Sequence, residues 1–266
     1  MLTQAVDFRA EADTLHALLR DLPDADWNHA TTFKSWTIND VVQHLHWGDL
    51  MAAASVAGPE HFASFRAEGK ALRDQGMNGV EATRARLGDL TGGRLRARWY
   101  GTMVDLCTKL TAMAPDTRLK WAGPDMGVKM FTTARQMETW AHGQEVYDLL
   151  GVTREPTLRL RNIAEIGVRT YGWTFVNRGL DLPGAAPSVR LAGPAGAIWQ
   201  WHDQTDDNCV TGDAVEFCQV VTQVRNIADT SLSVAGAAAG EWMRIAQCFA
   251  GPPETPPAPG TRAPQK

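Results

Sequence analysis

The chain of 266 residues contains no C-x-x-C pair, and its four cysteines (Cys107, Cys209, Cys218, Cys248) are widely spaced. That spacing excludes a thiol-based zinc ribbon or thioredoxin-type centre, and it offers no disulfide framework of the kind small secreted domains need. Buried, reduced thiols are the expectation. No apolar stretch approaches the roughly 18 residues that suggest a membrane span. The first residues, Met1-Leu2-Thr3-Gln4-Ala5-Val6-Asp7, carry neither a basic segment nor the apolar run of a signal peptide. A formal net charge of -4 gives no basic footprint for nucleic acid. There is no internal repeat. The expectation is a soluble cytoplasmic protein with no nucleic acid and no membrane among its partners.

Hydrophobic residues make up 44% and charged residues 21%, enough for a sizeable core in one large or two modest domains. Ten tryptophans are many for this length, and a surplus of indoles often lines pockets. The first half reads as helical. Phe8 to Leu22 carries Leu15, Leu18 and Leu19 at helical spacing and stops before Pro23. Thr37 is placed to cap the next helix, with Asp40 at its positive end and an apolar stripe of Ile38, Val41, Val42 and Leu45. Further helical stretches cover about 60–75 and 79–114, the latter interrupted near Gly92-Gly93. Residues 116–126 read as loop. A helix from Thr132 to Leu150 follows, ended by Gly151 as a left-handed cap.

After Pro156 the pattern changes. A helix over about 158–177 precedes alternating runs at 188–192 and 197–202, joined by Gly193-Pro194-Ala195-Gly196 as a hairpin. Residues 208–212 and 231–234 read as further strands. Asp213 caps a helix predicted to run through Arg225, and a last helix covers 240–250. The class is α+β: a four-helix bundle over 1–155, a small α+β domain over 156–251, and a tail over 252–266 whose six prolines predict disorder.

Chemistry concentrates in the first domain. Glu138 and His142 stand four residues apart, on one face of a helix. Asp40-Val41-Val42-Gln43-His44-Leu45-His46-Trp47 supplies imidazoles on another helix. Two histidines and a glutamate would form a three-ligand site with one position open, as catalytic zinc uses. Each signal alone is ordinary: a core-edge histidine satisfied by a hydrogen bond, and a solvated i,i+4 pair worth a few tenths of a kcal/mol. His44 and His46 lie about 200° apart around a helix, so only one can serve. Arg135, one turn before Glu138, is either a helix-face charge or a partner behind the ligands. Trp47 and Trp140 read as core packing.

Asp40-Val41-Val42-Gln43-His44-Leu45 after Trp36-Thr37, with Arg135-x-x-Glu138-x-x-x-His142 and Asp148-Leu149, resembles the N-terminal domain of the mycothiol-dependent maleylpyruvate isomerase family. That family belongs to the DinB-like bundle superfamily. The second half is similar to the smaller sterol-carrier-like domain of the same proteins, chiefly in element order and in Thr211-Gly212-Asp213 to Arg225. The resemblance implies a divalent metal, Zn2+ with Ni2+ or Fe2+ as alternatives, held by His44, Glu138 and His142, with His44 preferred to His46. It implies a low-molecular-weight thiol cosubstrate of the mycothiol type, and isomerase or S-transferase chemistry on a small-molecule substrate. It also suggests a catalytic arginine in the second domain, for which Arg225 is the candidate, as a clamp for a substrate carboxylate. The bland role for Arg225 is compensation of a helix dipole. His16, His29, His61 and His202 have no partners at ligand spacing. Three other readings remain: the same site activating water as a hydrolase, a non-catalytic binding protein with a metal in its bundle, and a non-haem Fe(II) site.

Overall fold

The computed structural model describes residues 2–88 and 90–262. The chain divides into two compact units, Met1–Val146 and Tyr147–Lys266, so the division falls within a helix and ahead of the 155/156 boundary read from the sequence. The class is α+β.

In the first unit, four long helices are α1 (Thr3–Leu18), α2 (Ile38–Ala57), α5 (Gly92–Thr111) and α6 (Val128–Leu149). The shorter α3 (Pro59–Asp74) and α4 (Gly79–Leu87) lie between α2 and α5 in sequence. α5 packs against both α1 and α2. The core between them is apolar: Phe8, Ala12 and Leu15 from α1, Val41, Val42 and Leu45 from α2, Leu95, Trp99 and Met103 from α5 are all fully buried. The start of α2 is a capping box. Thr37 Oγ1 accepts from the Asp40 N–H, and the Asp40 carboxylate accepts from the Thr37 N–H at 2.9 Å. A bidentate pair with Arg84 Nε (2.7 Å) and Nη2 (2.6 Å) holds that carboxylate from α4.

The helical stretch over 79–114, expected to be interrupted near Gly92-Gly93, is two helices that part slightly earlier, because Gly88 and Gly92 both take positive φ (59° each). The predicted loop at 116–126 contains a two-residue ladder, β1 (Arg118–Leu119) antiparallel to β2 (Met126–Gly127).

In the second unit, the helix predicted over 158–177 is broken into α7 (Leu160–Arg169) and α8 (Tyr171–Val176). Thr170 sits at the break, its hydroxyl donating back to the carbonyls of Ile166 and Gly167. β3 (Ser188–Ala192) and β4 (Ile198–Trp201) form the expected hairpin, with Leu191 opposite Trp199. β5 (Cys209–Asp213) runs parallel to β3, and β6 (Ser233–Ala235) closes a sheet of order β4-β3-β5-β6. Asp213 caps α9 (Ala214–Val221), accepting from Val215 and Glu216. α9 stops well before Arg225. Gln223 takes a left-handed conformation (φ 58°), and the Val224 N–H closes onto the Gln219 carbonyl at 2.8 Å. α10 (Ala237–Ile245) follows β6.

The tail departs from the expectation of disorder as far as it is described. The Glu254 N–H donates to Gln247 Oε1 (2.9 Å), and its carbonyl accepts from Gln223 Nε2 (3.1 Å) and Arg178 Nη2. Asn226 Nδ2 reaches the Pro257 carbonyl, and Arg262 Nη1 the Gln223 carbonyl, both at 2.8 Å. Prolines leave few backbone donors, but their carbonyls accept bonds from polar side chains of the unit. Residues 263–266 of the predicted tail lie outside the described residues.

Candidate metal centre

α2 and α6 bring three side chains to one point. His44 Nε2 lies 3.3 Å from Glu138 Oε2, and His142 Nε2 lies 3.5 Å from the same oxygen. Ligand atoms of His44, Glu138 and His142 all fall within 4.8 Å of one another, a group able to hold a metal ion. Atoms about 2.0–2.1 Å from a tetrahedral centre stand about 3.3 Å apart, so the separations of 3.3 and 3.5 Å suit a shared ion at least as well as direct hydrogen bonds. The side chains differ in access: His44 is 36% exposed, Glu138 21% and His142 14%. The centre is therefore open chiefly on the His44 side.

The protonation states suit ligation. Burial pushes the Glu138 carboxyl up, but hydrogen bonds with His142 and His44, and their charge, outweigh it and hold the group well below the usual carboxylate range. Burial, with His44 adjacent, pushes the His142 imidazole down to about 4 against the pull of Glu138. At neutral pH the pair is a carboxylate and a neutral imidazole, the forms a metal requires.

Behind the ligands lies a buried polar layer. Arg135 Nε donates to Asp49 Oδ1 (3.0 Å), and Arg135 Nη2 donates to the Leu45 carbonyl (3.3 Å). Trp99 Nε1 donates to Asp49 Oδ2 (3.1 Å). Both charged residues are buried. Arg135 is thus a buried ion-pair partner of Asp49 rather than a surface charge. Gly48 permits this arrangement, since a Cβ there would stand 2.6 Å from Arg135 Nη2.

In front stand Trp36 and Phe33. The Trp36 indole stacks on the His142 ring (5.5 Å between centroids, 10° between planes) and tilts against His44 (5.2 Å, 54°). Phe33 meets the edge of His142 at 5.2 Å. Sequence reasoning placed Trp36 beside the motif without giving it a role, and it missed Phe33 and Asp49. Asp49 had a visible signal, because it continues the Val42–Leu45 stripe of α2 with a charge where the face is apolar.

The remaining candidates lie elsewhere. His46 is buried and outside the group, its pKa lowered to about 4 by burial and by Arg98. Trp47 packs on Phe65 and under Arg86, and Trp140 is buried. His16 stacks on Tyr100, His29 faces Asp26, His61 is exposed, and His202 contacts the Pro187 carbonyl. In the second unit Arg225 is buried, with Nη2 donating to Asp148 Oδ2 at 2.6 Å and Nη1 to the Val224 carbonyl. It lies past the end of α9, so it does not cap that helix's dipole. No helix among the described residues is long and apolar enough to cross a membrane.

Comparison with known proteins identifies the family of the first unit. Residues 8–147 match the family model of the mycothiol maleylpyruvate isomerase N-terminal domain. Two uncharacterised proteins from two strains of Mycobacterium tuberculosis are each 38% identical over 247 residues, covering 93% of this chain and 95% of the relative. Among solved structures, the mycothiol-dependent maleylpyruvate isomerase aligns with a TM-score of 0.51 at 13% identity, over 82% of this chain and 87% of that one. A histidine-to-alanine mutant of that enzyme aligns with a TM-score of 0.50, with the same identity and coverage. At that identity the solved structures speak for the shared fold, and the family match covers α2, α6 and all three converging side chains: the chain belongs to the mycothiol maleylpyruvate isomerase N-terminal domain family.

Proposed function

We propose that this protein is a divalent-metal-dependent enzyme that presents a low-molecular-weight thiol of the mycothiol type to an electrophilic carbon, as an isomerase or S-transferase. The convergence of His44, Glu138 and His142 within 4.8 Å carries the proposal. The family and the isomerase named among its structural neighbours support the choice of thiol. Zinc fits the donor set best, two imidazoles and one carboxylate with a fourth position open.

A bound divalent ion would supply Lewis acidity there, able to lower the pKa of a thiol from its usual value near 8.5. His44, Glu138 and His142 would hold the ion, with Glu138 offsetting part of its charge, and His44 is the most exposed of the three. The thiol proton leaves to solvent. The sulfur then forms a C–S bond as the carbon–carbon π bond opens, and protonation of the neighbouring carbon completes a transfer. For isomerisation the adduct, before that protonation and with the electron pair of the opened π bond still on the neighbouring carbon, would rotate about the opened bond and expel the thiolate as that pair restores the double bond, with no net change in atoms. Arg225 remains the proposed clamp for a substrate carboxylate, a role in which Asp148 would share its guanidinium.

Elemental analysis of protein purified without chelator, beside His44→Ala and Glu138→Ala, tests the centre. One metal per chain is expected in the parent and little in either variant. In the cobalt-substituted protein, added thiol should shift the visible spectrum. An unchanged spectrum at saturating thiol would overturn the thiol assignment, and turnover of an electrophile in thiol-free buffer would favour a hydrolase on the same ligands.

A further inference from the structure

The segment before α2 folds back on itself in a short, strained turn. Ala30 and Thr37 form an antiparallel bridge, and both the N–H and the hydroxyl of Thr31 donate to the Trp36 carbonyl (2.7 and 2.9 Å). The Trp36 N–H returns to the Phe33 carbonyl at 2.9 Å. Between them Lys34 (φ 50°) and Ser35 (φ 55°) are consecutive left-handed residues, and neither is glycine. Each such residue costs about 1–2 kcal/mol, and strain of this kind gathers at functional sites where the surroundings over-determine it.

This turn places two rings on the metal group. Phe33 and Trp36 meet edge to face at 4.8 Å, and the Lys34 ammonium lies 5.4 Å over the Phe33 ring. Trp36 contacts both imidazoles, which are themselves 4.5 Å apart, and lies nearly parallel to His142. Metal-bound histidines are usually oriented by a hydrogen bond to the second ring nitrogen. Among the described residues, the polar contact shown for His142 is the one through Nε2 to Glu138. Its ring plane is instead set by the indole and by Phe33.

We propose that Trp36 is a positioning residue of the metal centre: held by the strained turn, its indole clamps His142 and His44 in their ligating orientations. It also shields the His142 side, leaving the His44 side for the thiol and its acceptor. Trp36 touches no reacting atom in this scheme. A Phe at the position keeps a flat ring over His142, whereas Ala or Leu does not. The inference rests on the metal reading above and assigns the turn a role within it.

Titration of the metal-free full chain with Co2+ tests it, following tryptophan emission and the visible cobalt bands together. Trp36→Ala and Trp36→Leu should each weaken Co2+ binding by about 10–100-fold, the usual cost of removing an orienting partner, and should alter the cobalt bands. Trp36→Phe should bind within about threefold of the parent, far inside that range. It should also lose part of the Co2+-induced quenching, because Trp36 is the indole stacked on a ligand. Trp36→Leu guards against Trp36→Ala simply failing to fold, which circular dichroism would show. If the folded Leu variant melts lower yet binds Co2+ with the parent's affinity and bands, Trp36 is packing alone and the proposal falls. If the parent itself takes up no Co2+, the metal reading fails and the positioning role goes with it.

Discussion

Gly48 shows how closely α2 and the Arg135 side chain of α6 are fitted together. The guanidinium of Arg135 fills the space where a Cβ would sit, and it cannot swing aside without leaving the buried Asp49 with Trp99 Nε1 but no cation. Gly48→Ala should therefore destabilise the protein by about 1–3 kcal/mol, the range for overpacking a filled core, read as a shift in the urea midpoint with the slope unchanged. An unchanged midpoint would mean that the Arg135–Asp49 pair is mobile. At this scale the sequence was informative where a residue's type clashed with its place. Glu138 and His142 stood out because spacing put them on one helix face, and His44 was chosen over His46 by the resemblance of its motif to the family's. Gly48 did not, since a glycine inside a helix has no spacing signal and its reason lies on α6. The cysteines offer a second residue-scale outcome. Cys107, Cys218 and Cys248 are buried, and burial pushes the Cys107 thiol up to about 12 and the Cys218 thiol well above its ordinary value. Cys209 is half-buried. A thiol reagent should label Cys209 alone in the native protein and all four after denaturation; fast native labelling of Cys107 or Cys218 would contradict the packing described here.

At the scale of elements, the caps that use conspicuous residues were legible. Thr37 and Asp40 announced the start of α2, and Gly151 announced the end of α6, where the Val152 N–H closes onto the Tyr147 carbonyl. The end of α9 uses the same closure with Gln223 in place of glycine, so no composition signal marked it. Gln223 tolerates the left-handed backbone because its Nε2 donates to the carbonyls of Ala246 and Glu254, partners distant in sequence. The Asp40 cap carries a pH signature. Burial works to raise its pKa, but bonds from Arg84 and Thr37 outweigh burial and lower it below the ordinary 3.8. The unfolded carboxyl then binds its proton first on acidification. The stabilisation is complete above 3.8 and is lost as the pH falls through the lower folded value. Asp40→Asn, which breaks both the capping box and the bidentate pair, should cost about 1–2 kcal/mol at pH 7. The gap between variant and parent should close as the pH falls below that range. A gap that persists unchanged in acid would show that the carboxylate charge contributes nothing.

At the scale of the whole chain, the change of pattern after Pro156 correctly announced an α+β protein, and the three side chains that converge in the first unit were legible because they sit in two local motifs. The second unit was harder, because its closing contacts join residues far apart in sequence, and the tail is the plainest case. Proline-rich, weakly apolar composition argues for disorder when a segment must supply its own core. Residues 252–262 instead use carbonyls as acceptors for Gln247, Gln223, Arg178 and Asn226, while the Gly260 N–H donates to both Asp229 oxygens (2.8 and 3.0 Å). A chain ending after Gly251 would leave Gln247 and Gln223, both buried, without these partners. Each such loss costs about 1 kcal/mol, partly repaid where water can reach the exposed group, while release of the segment returns conformational entropy. The balance favours a net destabilisation of about 2 kcal/mol, or several degrees in the melting temperature of a unit this size. Metal content should stay at the parent's level, because His44, Glu138 and His142 all lie in the first unit. A melting temperature unchanged by the truncation would restore the sequence's own reading, a tail that adds length without holding the second unit together.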